Sequence, residues 1–246
     1  MRLRLEKSGH LRGRKTAAMV IAALLFITGP LGAAEVSVEK SEAFDPSAIK
    51  RVAFLPLVTV LPVEEGQRPL CPLSKRAFDA CRIEDAAQAE LSRIIGQALL
   101  DSGAPVSWVP QAEINAAKDK LKNQGAENLN QHGSWQMAIG REVKADAVLL
   151  GFIYCYRERS GTAYASSAPA ALAFCLHLVD PSSGKVLWSL RYADEQVPLS
   201  NNLLDLSAYI KRKGKFISVA QMAEEAAAQI VLQLPWTANK DKTGRQ

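Results

Sequence analysis

No stretch of this 246-residue chain carries a G-x-S-x-G elbow, a G-x-x-x-x-G-K-[ST] phosphate loop, a G-x-G-x-x-G turn or an H-E-x-x-H helix. Those absences remove the usual sequence grounds for a hydrolase nucleophile, a nucleotide cradle, a dinucleotide site and a zinc peptidase. Gly184-Lys185 has the last letters of a phosphate loop, but it follows Asp180-Pro181 in a turn and precedes a strand pattern. A phosphate loop needs a helix N-terminus there. Histidine is scarce, with 3 in the whole chain. His132, beside Gly133 and Ser134 ahead of a helical pattern, reads as a helix-entry polar group, because no third group is in place to orient it as a base. His177 lies among apolar neighbours in a strand pattern and reads as a core histidine with too few partners for a metal site. A hydrolase would have to use one of these two. The expectation is a protein without catalytic residues, cofactor or metal.

Also missing is an apolar run long enough to span a bilayer, which takes about 20 residues. The longest one near the N-terminus, residues 17–28, has 12. It follows Arg2, Arg4, Lys7, Arg12, Arg14 and Lys15 and precedes Gly29-Pro30-Leu31-Gly32-Ala33-Ala34. A basic leader, a short apolar stretch and small residues before Glu35 make the pattern of a cleaved secretory signal peptide over residues 1–34, with the mature chain in the periplasm. No cysteine follows the apolar run, so an acylated N-terminus is not available. Taking away the leader removes six of the 30 basic residues and one of the 25 acidic ones, leaving 24 of each. The basic balance of the whole chain belongs to its leader, and a nucleic-acid partner loses its compositional support.

Cysteine is sparse too, but all 4 residues, Cys71, Cys81, Cys155 and Cys175, fall in the exported part, where disulfides persist. Their positions suggest Cys71 with Cys81 and Cys155 with Cys175, one of three connectivities. A hairpin folding about Ala165 would set the second pair opposite each other. Cross-strand Cβ atoms stand slightly wider than a relaxed disulfide wants, so buried free thiols stay open as the alternative. Cys71 and Cys81 alone are too few for a structural zinc site.

What is present is a regular alternation of apolar runs and helical stripes. Residues 145–192 hold three apolar runs, separated by a small-residue loop and by Asp180-Pro181-Ser182-Ser183-Gly184, which predicts a three-stranded meander over 147–157, 170–180 and 185–193. In the middle run Leu172, Phe174, Leu176 and Leu178 face one way and Ala171, Ala173, Cys175, His177 and Val179 the other, so both faces of that strand are covered. Upstream, residues 35–49 read as a polar lead-in and 50–57 as a buried strand that Pro56 ends or bends. Residues 62–82 form a long loop, followed by helices at 84–101, 111–122 and 134–143 with a short strand at 106–109. After a second excursion over 194–217, Ser218-Val219-Ala220-Gln221 matches a capping box opening a last helix that Pro235 stops. The order β-α-β-α-α-β-β-β-α predicts a single compact α/β domain over 35–246, its core about 50–235, with a mixed sheet of about five strands flanked by helices.

Lys211, Arg212, Lys213 and Lys215 are the clearest charge cluster of the mature chain. They read as a solvated turn, or as a contact to an anionic membrane surface or partner. Loops around 62–82, 160–169 and 194–215 are the places for partner contact.

Three stretches carry a resemblance: Arg51-Val52-Ala53-Phe54-Leu55-Pro56, Ala145-Asp146-Ala147-Val148-Leu149-Leu150-Gly151, and Leu178-Val179-Asp180-Pro181-Ser182-Ser183-Gly184-Lys185-Val186-Leu187-Trp188. Together, and in this order, the chain resembles a bacterial envelope superfamily that includes the amino-terminal domain of TolB, CsgG, LpoB and PelC. The resemblance implies a mixed sheet with flanking helices and non-enzymatic work at the cell envelope, as assembly factor, export component or activator of another envelope protein. A homo-oligomeric export scaffold is the alternative within that class. No shared catalytic residue comes with it.

Overall fold

The computed structural model describes residues 34–42, 44–62, 67–125, 134–161, 166–196 and 216–236. Its framework is a mixed sheet of seven strands, six of them in one continuous hydrogen-bonded order from β1 (Glu35–Lys40) through β9 (Val186–Glu195), β8 (Ala171–Val179), β5 (Ala147–Arg157) and β2 (Arg51–Phe54) to β4 (Ser107–Trp108), with the seventh, β3 (Val58–Thr59), also paired to β5. Two short strands, β6 (Ser160–Gly161) and β7 (Ser166–Ala168), pair with each other beside it. Among the described residues four α-helices flank it: α1 (Ala87–Asp101), α2 (Gln111–Asn123), α3 (Ser134–Glu142) and α4 (Val219–Gln233).

The meander β5-β8-β9 is antiparallel, as the turn between the last two strands requires, while β2 runs parallel to β5 after three intervening helices. Every residue of β8 is buried. Its Leu172, Phe174, Leu176 and Leu178 enter the core under α1 and α4, with Trp188, Leu190 and Tyr192 of β9 beside them. The opposite face is closed in two pieces. Helices α2 and α3 cover Ala53, Val148, Leu150 and Val179. The irregular segment 67–83 covers Phe152, Tyr154, Cys155, Ala171, Ala173 and Cys175.

Pro56 divides the first buried run rather than ending it. Both β2 and β3 pair parallel to β5, but from Phe54 to Val58 the chain takes four steps where β5 takes three, from Leu149 to Phe152. The extra residue turns the Leu57 side chain into the core, and its freed N–H donates to Ser92 Oγ of α1 at 2.9 Å. Gly151 makes room for this bulge: a Cβ there would lie 2.4 Å from Leu57 Cγ. Gly140 of α3 has the same role against Val148 and the turn at Pro181, where a Cβ would lie 2.2 Å from Val148 Cγ2.

Two expectations are corrected. Residues 35–40 are an edge strand paired antiparallel with β9 from Glu35↔Ala193 to Lys40↔Trp188, so the described fold begins at residue 34 and not near 50. Val36 and Val38 alternate with polar residues there, the pattern of a half-exposed edge. The sheet accordingly has seven strands where about five were expected. The capping box is present, with Ser218 Oγ accepting from Gln221 N–H and Gln221 Oε1 accepting from Ser218 N–H.

Candidate functional site

The three stretches that carry the family resemblance turn out to be framework. Asp146 Oδ2 accepts from the N–H groups of Lys50 and Arg51 at 2.9 and 2.8 Å, locking the start of β2 to the start of β5. Asp180 closes the β8-β9 turn, accepting from Ser182 N–H at 2.8 Å and Ser183 Oγ at 2.5 Å, while Gly184 N–H donates to its carbonyl. These hydrogen bonds, the Ser183 hydroxyl first, hold the Asp180 carboxyl below the usual aspartate range. Arg141 of α3 reaches the same turn and donates to Pro181 O at 2.7 Å.

Chemistry gathers instead where segment 67–83 lies on the sheet. The segment lacks regular structure, and its backbone is held by a handful of specific contacts. Cys81 N–H donates to Tyr154 O at 3.3 Å, Tyr156 N–H to Arg82 O at 3.3 Å, and Phe78 N–H to Pro69 O at 3.0 Å. The Phe78 ring stacks on Tyr154 with centroids 3.8 Å apart, and the Arg191 guanidinium lies 4.3 Å from the Phe78 ring centre while donating to Ala77 O. Cys81 is disulfide-bonded to Cys155 of β5, 74 positions away in sequence.

That connectivity replaces the pairs suggested by sequence spacing. Across the β5-β8 hairpin Phe152 stands opposite Cys175 and Cys155 opposite Ala173, so Cys155 and Cys175 are not partners. Cys71 and Cys175 are free thiols, both buried. They meet over His177, whose position two residues after Cys175 in β8 puts it on the same face. His177 Nε2 lies 3.1 Å from Cys71 Sγ and 3.1 Å from Cys175 Sγ, and the two sulfurs are 3.6 Å apart. Ser74 N–H points at Cys71 Sγ at 3.4 Å, and Tyr154 Oη lies 3.4 Å from Cys175 Sγ. The group is dry: Cys71, Cys175 and His177 are 0%, 2% and 1% exposed.

The two thiols are driven apart in acidity. A hydrogen bond from Cys175 holds the Cys71 thiol far below its usual value; burial opposes this, and His177 and Ser74 add to the lowering. Burial, followed by the neighbouring Cys71 sulfur, pushes Cys175 well above the usual range. Tyr154 is also pushed up, chiefly by burial. Among the described residues this is the one set of three or more His, Cys, Asp or Glu side chains with donor atoms close enough to share a metal ion.

Of the other candidates, His132 and the cluster Lys211, Arg212, Lys213 and Lys215 lie outside the described residues, as do residues 1–33 of the leader. Sequence reading placed Cys175 and His177 on one face but could not bring Cys71 to them, since it arrives on an irregular segment with no period to register it. Ser74 lies on the same segment and was missed for the same reason, and Tyr154, although on β5, meets Cys175 only through the β5-β8 register. No described helix is long and apolar enough to cross a membrane.

No family model and no curated protein matches the chain. Among solved structures, the PelC dodecamer from Paraburkholderia phytofirmans is similar at 14% identity, covering 81% of this chain and 95% of that one with a TM-score of 0.41. The LpoB C-terminal domain from Salmonella enterica is similar at 16% identity over 60% of this chain and 83% of that one, TM-score 0.37. A lipoprotein from Neisseria meningitidis is similar at 19% identity over 66% of this chain and 96% of that one, TM-score 0.38.

Proposed function

We propose that this chain is a non-enzymatic interaction protein of the bacterial cell envelope, exported by its leader and acting in the periplasm by contact with another envelope protein. The observation that carries the reading is the placement of its three family-like stretches: a buried first strand, a central strand parallel to it and the hairpin that follows, with Asp146 and Asp180 spent on backbone hydrogen bonds. The hydrolase reading through His177 loses its premise, since the ring is 1% exposed and packed against two sulfurs.

Contact is favoured along β3 and the described segment that follows it. Val58, Leu61 and Leu70 are 37%, 67% and 57% exposed, three of the six large apolar side chains left in solvent among the described residues. In-cell cross-linking of the full chain with a C-terminal tag, followed by envelope fractionation, tests both halves of the reading. The expected result is a chain cleaved after Ala34 in the periplasmic fraction, with a cross-linked partner that Leu61→Asp with Leu70→Asp loses. An uncleaved cytoplasmic chain would overturn the proposal, and so would a cross-link indifferent to those substitutions.

A further inference from the structure

We propose that Cys71, Cys175 and His177 form a binding site for one thiophilic d10 cation, Cu(I) or Zn(II), which ties segment 67–83 to the central strand β8. The donor set is two sulfurs and one imidazole nitrogen, the softness that selects these ions over magnesium, calcium or manganese. Bond lengths of about 2.3 Å to sulfur and about 2.0 to 2.1 Å to nitrogen impose roughly 3.8 Å between two sulfurs and roughly 3.5 Å between sulfur and nitrogen at tetrahedral angles. The separations here are 3.6, 3.1 and 3.1 Å, so an ion enters with outward shifts of a few tenths of an ångström.

One further feature favours a cation over a core histidine flanked by idle thiols. The Ser74 N–H directed at Cys71 Sγ favours the thiolate, the form in which cysteine binds metal.

Space limits the guest to a bare ion. The cavity beside the cluster, lined by Ser74, Phe78, Cys175, His177 and Arg191 among others, measures about 10 Å³. That is hardly room for one water molecule. Tyr154 Oη, 3.4 Å from Cys175 Sγ, is an oxygen beside the site that could serve as a fourth donor for Zn(II). With three donors alone the site suits Cu(I).

The test uses the full chain, anaerobic and freed of metal, in two arms: Cu(I) in competition with bicinchoninate, and Co(II) as a spectroscopic stand-in for Zn(II). One equivalent should bind in at least one arm, with a thiolate-to-cobalt charge-transfer band if the Zn(II) arm is the one that responds. Binding should be lost in Cys175→Ala, in Cys71→Ser and in His177→Gln, and kept when Cys81 and Cys155 are both changed to Ser. Circular dichroism on each variant confirms that the domain is folded, and His177→Gln keeps both thiols should a cysteine variant not fold. Bound cation should also slow amide hydrogen exchange in 67–83. No binding in either arm would overturn the proposal, as would binding that survives His177→Gln or a Cys71–Cys175 disulfide in the chain as isolated.

Discussion

The two faces of the central sheet are closed by different physics. Beneath α1 and α4 lie Leu172, Phe174, Leu176, Leu178, Trp188, Leu190 and Tyr192, large side chains met by the stripes of two 15-residue helices. Over the far half of the other face the sheet offers Ala171, Ala173 and Cys175, and the cover is a segment without a helix or long strand. The first face is held by area removed from water. The second is held at points: one disulfide, one ring stack, one arginine, and a sulfur-imidazole cluster. A cover made of points can be released piecemeal, whereas one made of packed helices opens only with the whole domain.

The largest expected effect probes the helical side. Phe174 is fully buried and stacks on Tyr192, so Phe174→Ala should lower stability by about 3 to 5 kcal/mol in chemical denaturation, with all probes of the domain melting together. Opening the Cys81–Cys155 bond, which closes a loop 74 positions long, should lower it by about 2 to 4 kcal/mol when both cysteines become Ala. Here the comparison sharpens: hydrogen exchange should accelerate first in 67–83, while α1 and α4 keep their protection. Equal loss of protection on both faces would break the distinction.

Gly151→Ala forces a Cβ against Leu57 and should cost about 1 to 3 kcal/mol, an overpacking effect on the helical side seen as a shifted midpoint with unchanged slope. Ser218→Ala removes the capping oxygen of α4 and should cost about 1 kcal/mol by the same measurement. The smallest effect is one of pH. Asp180 has its folded value lowered, so its contribution is present at neutral pH, above the unfolded value, and fades as pH falls through the folded value. Asp180→Asn should flatten the acid side of the stability profile, and only slightly, because the carboxylate is largely solvated.

Where local pattern and tertiary packing agree, the fold was legible. The meander, the helices α1 to α4, the buried strand β2 and the capping box follow from periodicity and punctuation, and each has the expected type in the structure. Edge strand β1 was less so, because six residues with two valines resemble a loop until a neighbour supplies hydrogen bonds. The site was hardest. Cys175 and His177 share a strand face by simple alternation, yet Cys71 reaches them across 104 positions from an irregular segment. Nothing local encodes that meeting, and the same blindness produced the wrong cysteine pairs: spacing suggests Cys71 with Cys81, whereas the β5-β8 register and the lie of the segment bring Cys81 to Cys155.

The most direct test of this cover is a cysteine map of the unreduced chain, alkylated under denaturing conditions and digested. The account predicts one linked peptide pair, Cys81 with Cys155, and alkylated Cys71 and Cys175. A Cys71–Cys81 or Cys155–Cys175 link would contradict it, since segment 67–83 could not then lie on the sheet as described.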